Sequence, residues 1–257
     1  MPDLSGKHAL VVGVANKRSI AWAITQALAN AGVRLALTYP SARLEENVRE
    51  LAATLDNPII LPCDVASDEQ IAELGRSLDR DFGGLDFFVH GAAFAKSEDL
   101  AAPFSQTSRE GFRIALDVSA YSFIALAREV RPLMQKRGGG SMLTLTYLGS
   151  ERVFKNYNVM GVAKAALESA VRYLAAELGA DNIRVNAISA GPIKTLAAMG
   201  ISGFSNILGH YRDHSPLHKN TETSEVADAA LFLLSPAGRG VTAEILMVDA
   251  GFSVMGF

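Results

Sequence analysis

The amino-acid sequence predicts a doubly wound α/β fold: a parallel sheet of about seven strands with helices on both faces. Three observations predict it. Short apolar runs alternate with helical stretches almost from end to end. The runs are nearly continuously apolar, as in strands buried on both faces, and not alternately apolar and polar. Glycines stand at the joins, at Gly13, Gly32, Gly83-Gly84 and Gly138-Gly139-Gly140. With 257 residues and no internal repeat, low-complexity tract or linker, the chain is expected to form one domain over 1–257.

The elements follow in order. His8-Ala-Leu-Val-Val-Gly13 is the first strand. A helix over 19–31 carries Ile20, Ala23, Ile24, Ala27 and Leu28 on one face, and Gly32 stops it. Residues 33–38 form a second strand and 45–55 a second helix. A third strand begins at 59–61 and ends through Cys63-Asp64-Val65. A helix over 68–82 ends at Gly83-Gly84, and 85–89 is the fourth strand. A long helix covers about 109–136, a fifth strand 141–146, and the clearest helix of the chain 158–178. Residues 183–189 form a sixth strand, 223–234 a helix and 245–248 a seventh strand.

Composition excludes several classes. A 49% hydrophobic share supports a large core and argues against disorder. A net charge of −3 gives no footprint for nucleic acid or an anionic membrane. The single cysteine, Cys63, rules out an intrachain disulfide and is read as a small buried residue. No apolar run reaches the length of a membrane span, and the N-terminal residues lack a basic-then-apolar leader pattern, so the expected location is the cytoplasm. His210, His214 and His218 recur every four residues, but Pro216 interrupts the helix they would need, and no metal site is expected.

In an open α/β sheet, ligands bind beyond the carboxyl ends of the strands. The first strand ends in Gly13 and the next helix starts at Ser19-Ile20. A helix N-terminus there offers free N–H groups to a diphosphate, and Gly13 lets backbone approach closely. A tight strand–helix turn with Ser19 as N-cap fits the same residues. Asp64, ending strand three, suits an adenine amino group or an ordinary cap. The small residues of His90-Gly-Ala-Ala-Phe-Ala95 suit a flat cofactor or close helix–sheet packing.

The sharpest pattern is Tyr157 followed seven residues later by Lys164. Seven residues turn through about two revolutions of a helix, which places both side chains on one face. A phenol has a pKa of about 10, and a nearby ammonium is expected to lower it and to hold ribose hydroxyls. A partly buried tyrosine beside a surface lysine fits the spacing as well. Tyr147, just past strand five, is a second phenol facing the same crevice or an aromatic packed at a strand end. After strand six, Gly191-Pro192 fixes a turn, so that the Ile193 backbone can meet a carboxamide and Thr195 a phosphate. The stretch 195–211, small and apolar with three glycines, is read as a substrate cover or pocket wall, or as surface helices packing in an oligomer.

These residues together resemble a Rossmann-like short-chain dehydrogenase/reductase, and more closely the divergent branch of bacterial enoyl-acyl-carrier-protein reductases. The resemblance covers essentially the whole chain. It rests on Gly13-x5-Ser19-Ile20-Ala21, Asp64-Val65, Tyr147 ten residues before Tyr157, Tyr157-x2-Met160-x3-Lys164, and Gly191-Pro192-Ile193-Lys194-Thr195. The ordinary branch carries its tyrosine four residues before the lysine, where Met160 stands here. The phenol is displaced about 4.5 Å along the helix at 1.5 Å per residue. That suits an enoyl thioester, whose developing charge lies on an oxygen beyond the carbon that accepts hydride.

The resemblance implies reduction of trans-2-enoyl thioesters in the elongation cycle of fatty acid biosynthesis, on an acyl-carrier-protein substrate, by a homotetramer. It implies Tyr157, Lys164 and Tyr147 as catalytic residues. It assigns Gly13, Ser19, Ile20, Asp64, Val65, Ala92, Lys164, Ile193 and Thr195 to the cofactor, and Ala95, Tyr147 and Tyr157 to the substrate. No acidic residue follows strand two in Thr38-Tyr39-Pro40-Ser41-Ala42-Arg43, and Arg43 suits a 2′-phosphate. NADH is the expected cofactor, with NADPH open. Asp117 and Ser119 lie where ordinary relatives place a catalytic asparagine and receive no role. The apolar C-terminal residues 251–257 suit a subunit interface or their own subunit. A carbonyl (3-ketoacyl) reductase of the same fold and a non-catalytic nucleotide-binding relative are the alternatives.

Overall fold

The computed structural model describes residues 2–195 and 203–256. Seven strands, β1 (His8–Val12), β2 (Arg34–Tyr39), β3 (Ile59–Pro62), β4 (Phe87–His90), β5 (Gly140–Thr146), β6 (Ile183–Ala190) and β7 (Ile245–Val248), form one sheet in the order β3-β2-β1-β4-β5-β6-β7. Every pair is parallel. The order turns outward in both directions from β1, which opens a crevice where the β1 and β4 carboxyl ends diverge.

Successive residues of a strand point to opposite faces, and here both faces are covered. Leu10 and Val12 of β1 join Phe88, Met142 and Val185 in one core, under α3 (Asp68–Phe82), α6 (Ser122–Lys136) and α7 (Asn158–Leu178). Ala9 and Val11 join Leu35, Leu37, Val89 and Ile188 in the other, under α1 (Ile20–Asn30), α2 (Ala42–Ala52) and a helix over Thr223–Leu234. This explains the continuous apolar runs. Leu10, Leu35, Leu37 and Phe88 are fully buried, each contributing about 1.5–3 kcal/mol.

Helix ends follow local chemistry. Ser67 accepts a hydrogen bond from the Gln70 N–H at the start of α3, and Gly83 ends it in the left-handed region. Two departures from the sequence reading have physical causes. Helix α2 begins three residues before the expected 45, because the Ser41 carbonyl accepts from the N–H groups of Leu44 and Glu45 and so opens the helix. The helix expected over 109–136 is α5 (Arg109–Leu116) joined to α6 by one wide π turn over Asp117–Tyr121. That turn carries the buried Ser119 to the Phe94 backbone, where its hydroxyl accepts from N–H at 3.0 Å and lies 3.2 Å from the carbonyl.

Helix α4 (Ser97–Ala101) was not foreseen, and α8 (Phe204–His214) follows the seven undescribed residues of the 195–211 stretch, which the sequence offered as a substrate cover or as surface helices. The helix over Thr223–Leu234 is α9, closed by reciprocal bonds between Glu222 and Glu225. Among the described residues, no helix is long and apolar enough to cross a membrane.

Candidate active site

Past the ends of β1, β4 and β6, the carboxyl edge is built from backbone. Gly13 holds φ +99°, and a Cβ there would stand 2.4 Å from the carbonyl carbon of Gly91. The turns after β1 and β4 therefore touch, and only glycine allows it. At α1, Ser19 has extended backbone and its hydroxyl donates to the Asn16 carbonyl at 2.6 Å instead of capping the helix. The first bonds of the helix run from the Trp22 and Ala23 N–H groups to the Ser19 carbonyl, so the N–H groups of Ile20 and Ala21, which precede them, remain available to an anion.

Beyond β3, the Asp64 N–H donates to Gln70 Oε1 at 2.8 Å, its carboxylate accepts from the Ala66 N–H, and Val65 is buried. Ala92 and Ala95 are half-buried after β4. After β6, the Gly191 N–H donates to Val248, buried Pro192 follows, and the Thr195 N–H closes onto the Ile193 carbonyl at 2.7 Å. Glycine close-approach, uncapped helix N–H groups and small side chains are the donor set and clearance that a dinucleotide needs.

On the other side of the crevice the edge is built from side chains. Tyr147 leaves β5 with extended backbone, and a tight turn over Leu148–Ser150 leads back toward α7. Tyr157 stands at the start of α7, its ring 5.0 Å from that of Tyr147 in an edge-on arrangement at 69°. A Cβ on Gly149 would lie 2.4 Å from the Tyr157 ring, and one on Gly161 would lie 2.6 Å from the Gly149 carbonyl. Both glycines let turn, phenol and helix sit flush. Burial raises both phenols, Tyr147 to about 12.

This corrects the expectation that Lys164 lowers Tyr157. The buried ammonium of Lys164 donates to the Leu145 carbonyl at 2.8 Å, and burial pulls it down to about 8, against the opposing charge of Glu168. With its pKa raised by burial, the Tyr157 phenol keeps its proton near neutral pH.

Leu145, Thr146 and Tyr147, at and just past the end of β5, thus meet two residues of α7 and its N-cap residue. The Leu145 carbonyl takes Lys164, the Thr146 hydroxyl donates to Glu168 at 2.6 Å, and Tyr147 takes the Tyr157 ring. Thr146 and Glu168 are buried and were not foreseen, although a carboxylate one turn beyond Lys164 was a readable signal. His90, inside an apolar run, is fully buried, with Nδ1 2.9 Å from Thr144 Oγ1 and Nε2 2.8 Å from Ser122 Oγ. Burial, with the Lys164 charge, lowers it to about 3, so it stays neutral.

Outside the site, burial raises the Cys63 thiol to about 12, in keeping with an unreactive core residue, and Asp117 pairs with Arg113 at 3.6 Å. The His210 and His214 rings lie 4.1 Å apart on α8, tilted at 36°.

A strand order running 3-2-1-4-5-6 from a central crevice defines the class of dinucleotide-binding α/β proteins. The chain belongs to the enoyl-acyl-carrier-protein reductase family, whose model, described as enoyl-(acyl carrier protein) reductase, matches residues 13–253. The NADH-dependent enoyl-acyl-carrier-protein reductase FabI of Bacillus cereus is 51% identical over 258 residues, covering 100% of both chains. A Bacillus cereus enoyl-acyl carrier protein reductase solved with NADP+ and indole naphthyridinone superposes with a TM-score of 0.97 at 50% identity, covering 100% of both chains. The enoyl-(acyl-carrier-protein) reductase of Anaplasma phagocytophilum, solved with NAD, superposes at 0.95 with 45% identity, covering 100% of this chain and 97% of that one.

Proposed function

We propose that this protein reduces the trans-2 double bond of an enoyl thioester carried on acyl-carrier protein, using NADH, in fatty acid biosynthesis. The observation that carries the reading is the half-buried Tyr157, seven residues before Lys164 and packed edge-on to Tyr147 at the carboxyl edge of β5. Family membership over nearly the whole chain supports the substrate class.

Bound NADH supplies the hydride that adds to C3 of the enoyl group. Tyr157 donates a hydrogen bond to the thioester oxygen where negative charge develops, an oxyanion-hole role suited to a phenol that holds its proton. The enolate then takes up one proton from solvent at C2, which completes the reduction. Lys164 holds the nicotinamide ribose, with its ammonium pre-aimed by the Leu145 carbonyl. Gly13, Ser19, Ile20, Asp64, Val65, Ala92, Ile193 and Thr195 hold the rest of the dinucleotide. Ala95 contacts the acyl group through a backbone that Ser119 steadies at Phe94, and Tyr147 lines the pocket.

The chain acts as one domain over 1–257, with 195–211 as the substrate cover. Exposed Phe112, Ile124 and Tyr173, on α5, α6 and α7, supply apolar surface for a homotetramer, which works in the cytoplasm.

The test follows loss of reduced-nicotinamide absorbance with NADH and NADPH separately, each against a trans-2-enoyl and a 3-ketoacyl thioester. Oxidation of NADH with the enoyl substrate alone is the expected result. Oxidation with the keto substrate alone would overturn the reading in favour of a carbonyl reductase, and silence with both would favour a non-catalytic protein. A preference for NADPH would revise the cofactor and keep the reaction.

A further inference from the structure

Tyr147 does not stand alone with Tyr157. Tyr211 of α8, only 2% exposed, donates its hydroxyl hydrogen to the Tyr147 hydroxyl at 3.1 Å. The Tyr211 ring stacks on Phe252 at 3.7 Å and 19°, and lies 6.2 Å from Phe154. Phe252 opens the C-terminal turn, which Arg152 ties to the loop before α7 by bonds to the carbonyls of Ser253 (2.6 Å) and Met255 (3.2 Å). The Tyr211 ring is therefore fixed from behind, with its hydroxyl against that of Tyr147.

We propose that Tyr211 is a positioning residue for the reaction: its hydroxyl fixes the Tyr147 hydroxyl so that the Tyr147 hydrogen faces the enoyl thioester. The inference rests on the proposed function. A phenol has one hydrogen to give. Tyr211 spends its hydrogen on Tyr147, so Tyr147 keeps its own for the pocket. In an apolar box of aromatic rings, a hydroxyl left without a partner is unfavourable, so the pair has one favoured arrangement. Donation from Tyr211 also polarises the Tyr147 O–H, which lowers its pKa against the rise from burial.

Tyr211→Phe keeps the ring and its stack on Phe252 and removes only the hydroxyl. The proposal expects kcat to fall about 3- to 10-fold, the worth of one hydrogen bond, with NADH affinity unchanged. The same change made on a Tyr147→Phe background should cause no further loss, because the hydroxyl it acts through is gone. Equal losses on both backgrounds, or no loss on the parent, would overturn the proposal. A substrate-free readout separates its failure from failure of the proposed function: in protein labelled with ζ-13C tyrosine, the Tyr147 resonance should move in Tyr211→Phe. An unmoved resonance overturns the hydroxyl pair. A moved resonance in a parent inert toward enoyl thioesters overturns the proposed function and leaves the pair standing.

Discussion

The two sides of the crevice are made of different material. The nucleotide side, at the ends of β1, β4 and β6, is backbone: Gly13 against Gly91, an uncapped α1, and the Gly191-Pro192 turn. The phenol side, past β5, is side chains: Tyr147, Phe154, Tyr157, Tyr211 and Phe252, with Lys164 and Glu168 beneath. Backbone sites are broken by adding atoms, and side-chain sites by removing them. A mutation set can therefore separate binding from chemistry.

The largest effect is expected on the backbone side. Gly13→Val places a branched side chain at φ +99° and drives its Cβ into the Gly91 backbone, which has no flexible end to yield. NADH affinity should fall by at least about 100-fold, and the melting temperature should drop with it, because strain and overlap together cost several kcal/mol. Fluorescence titration with NADH and a thermal melt measure both. Retained affinity would break the claim that the cradle is backbone-built.

Tyr157→Phe is the matching change on the other side. Removing one oxyanion donor typically costs about 100- to 1,000-fold in kcat. The same fluorescence titration should give an unchanged NADH dissociation constant, since the phenol is not among the cradle groups. A variant that loses both would erase the division between the two sides.

Lys164 straddles the two sides, and its titration sharpens the comparison. Burial lowers its ammonium from 10.5 to about 8. The cation is present below that value and lost as pH rises through it, so NADH affinity and kcat/KM should decline above about pH 8. Glu168 pushes the other way, and the buried His90 feels the same ammonium while staying neutral. Glu168→Gln keeps the shape beside Thr146 and removes that support, so the alkaline limb should move to lower pH. A limb that stays in place would mean that Glu168 does not set the Lys164 charge.

The same division explains what the sequence disclosed. Backbone features leave local signatures: continuous apolar runs for strands buried twice over, Gly13 at a strand end, and a helical period that marks 158–178 to the residue. Tyr157 and Lys164 share one helix, so their spacing is visible. Tyr211 and Tyr147 are 64 residues apart, and only the fold brings their hydroxyls together. His90 hides inside an apolar strand, and its polarity is answered by Thr144 and Ser122 from two other elements. The π turn at Asp117–Tyr121 looks like uninterrupted helix, because no breaker residue marks it and its Ser119 bonds to a Phe94 backbone 25 residues away.

The smallest expected effect tests how the phenol side is anchored. Arg152 is exposed, yet its guanidinium bridges the carbonyls of Ser253 and Met255 and so holds the turn that backs Tyr211. Arg152→Ala removes two charge-assisted bonds at the surface, where water replaces much of their strength, and should cost about 1 kcal/mol or less in stability. Its kinetic effect should be a loss in kcat of no more than about 3-fold, with NADH affinity untouched, because the Tyr211–Phe252 stack still holds the ring. Stopped-flow turnover with saturating NADH measures it. A loss as large as that of Tyr211→Phe would move the origin of Tyr147 positioning from the aromatic stack to the C-terminal turn.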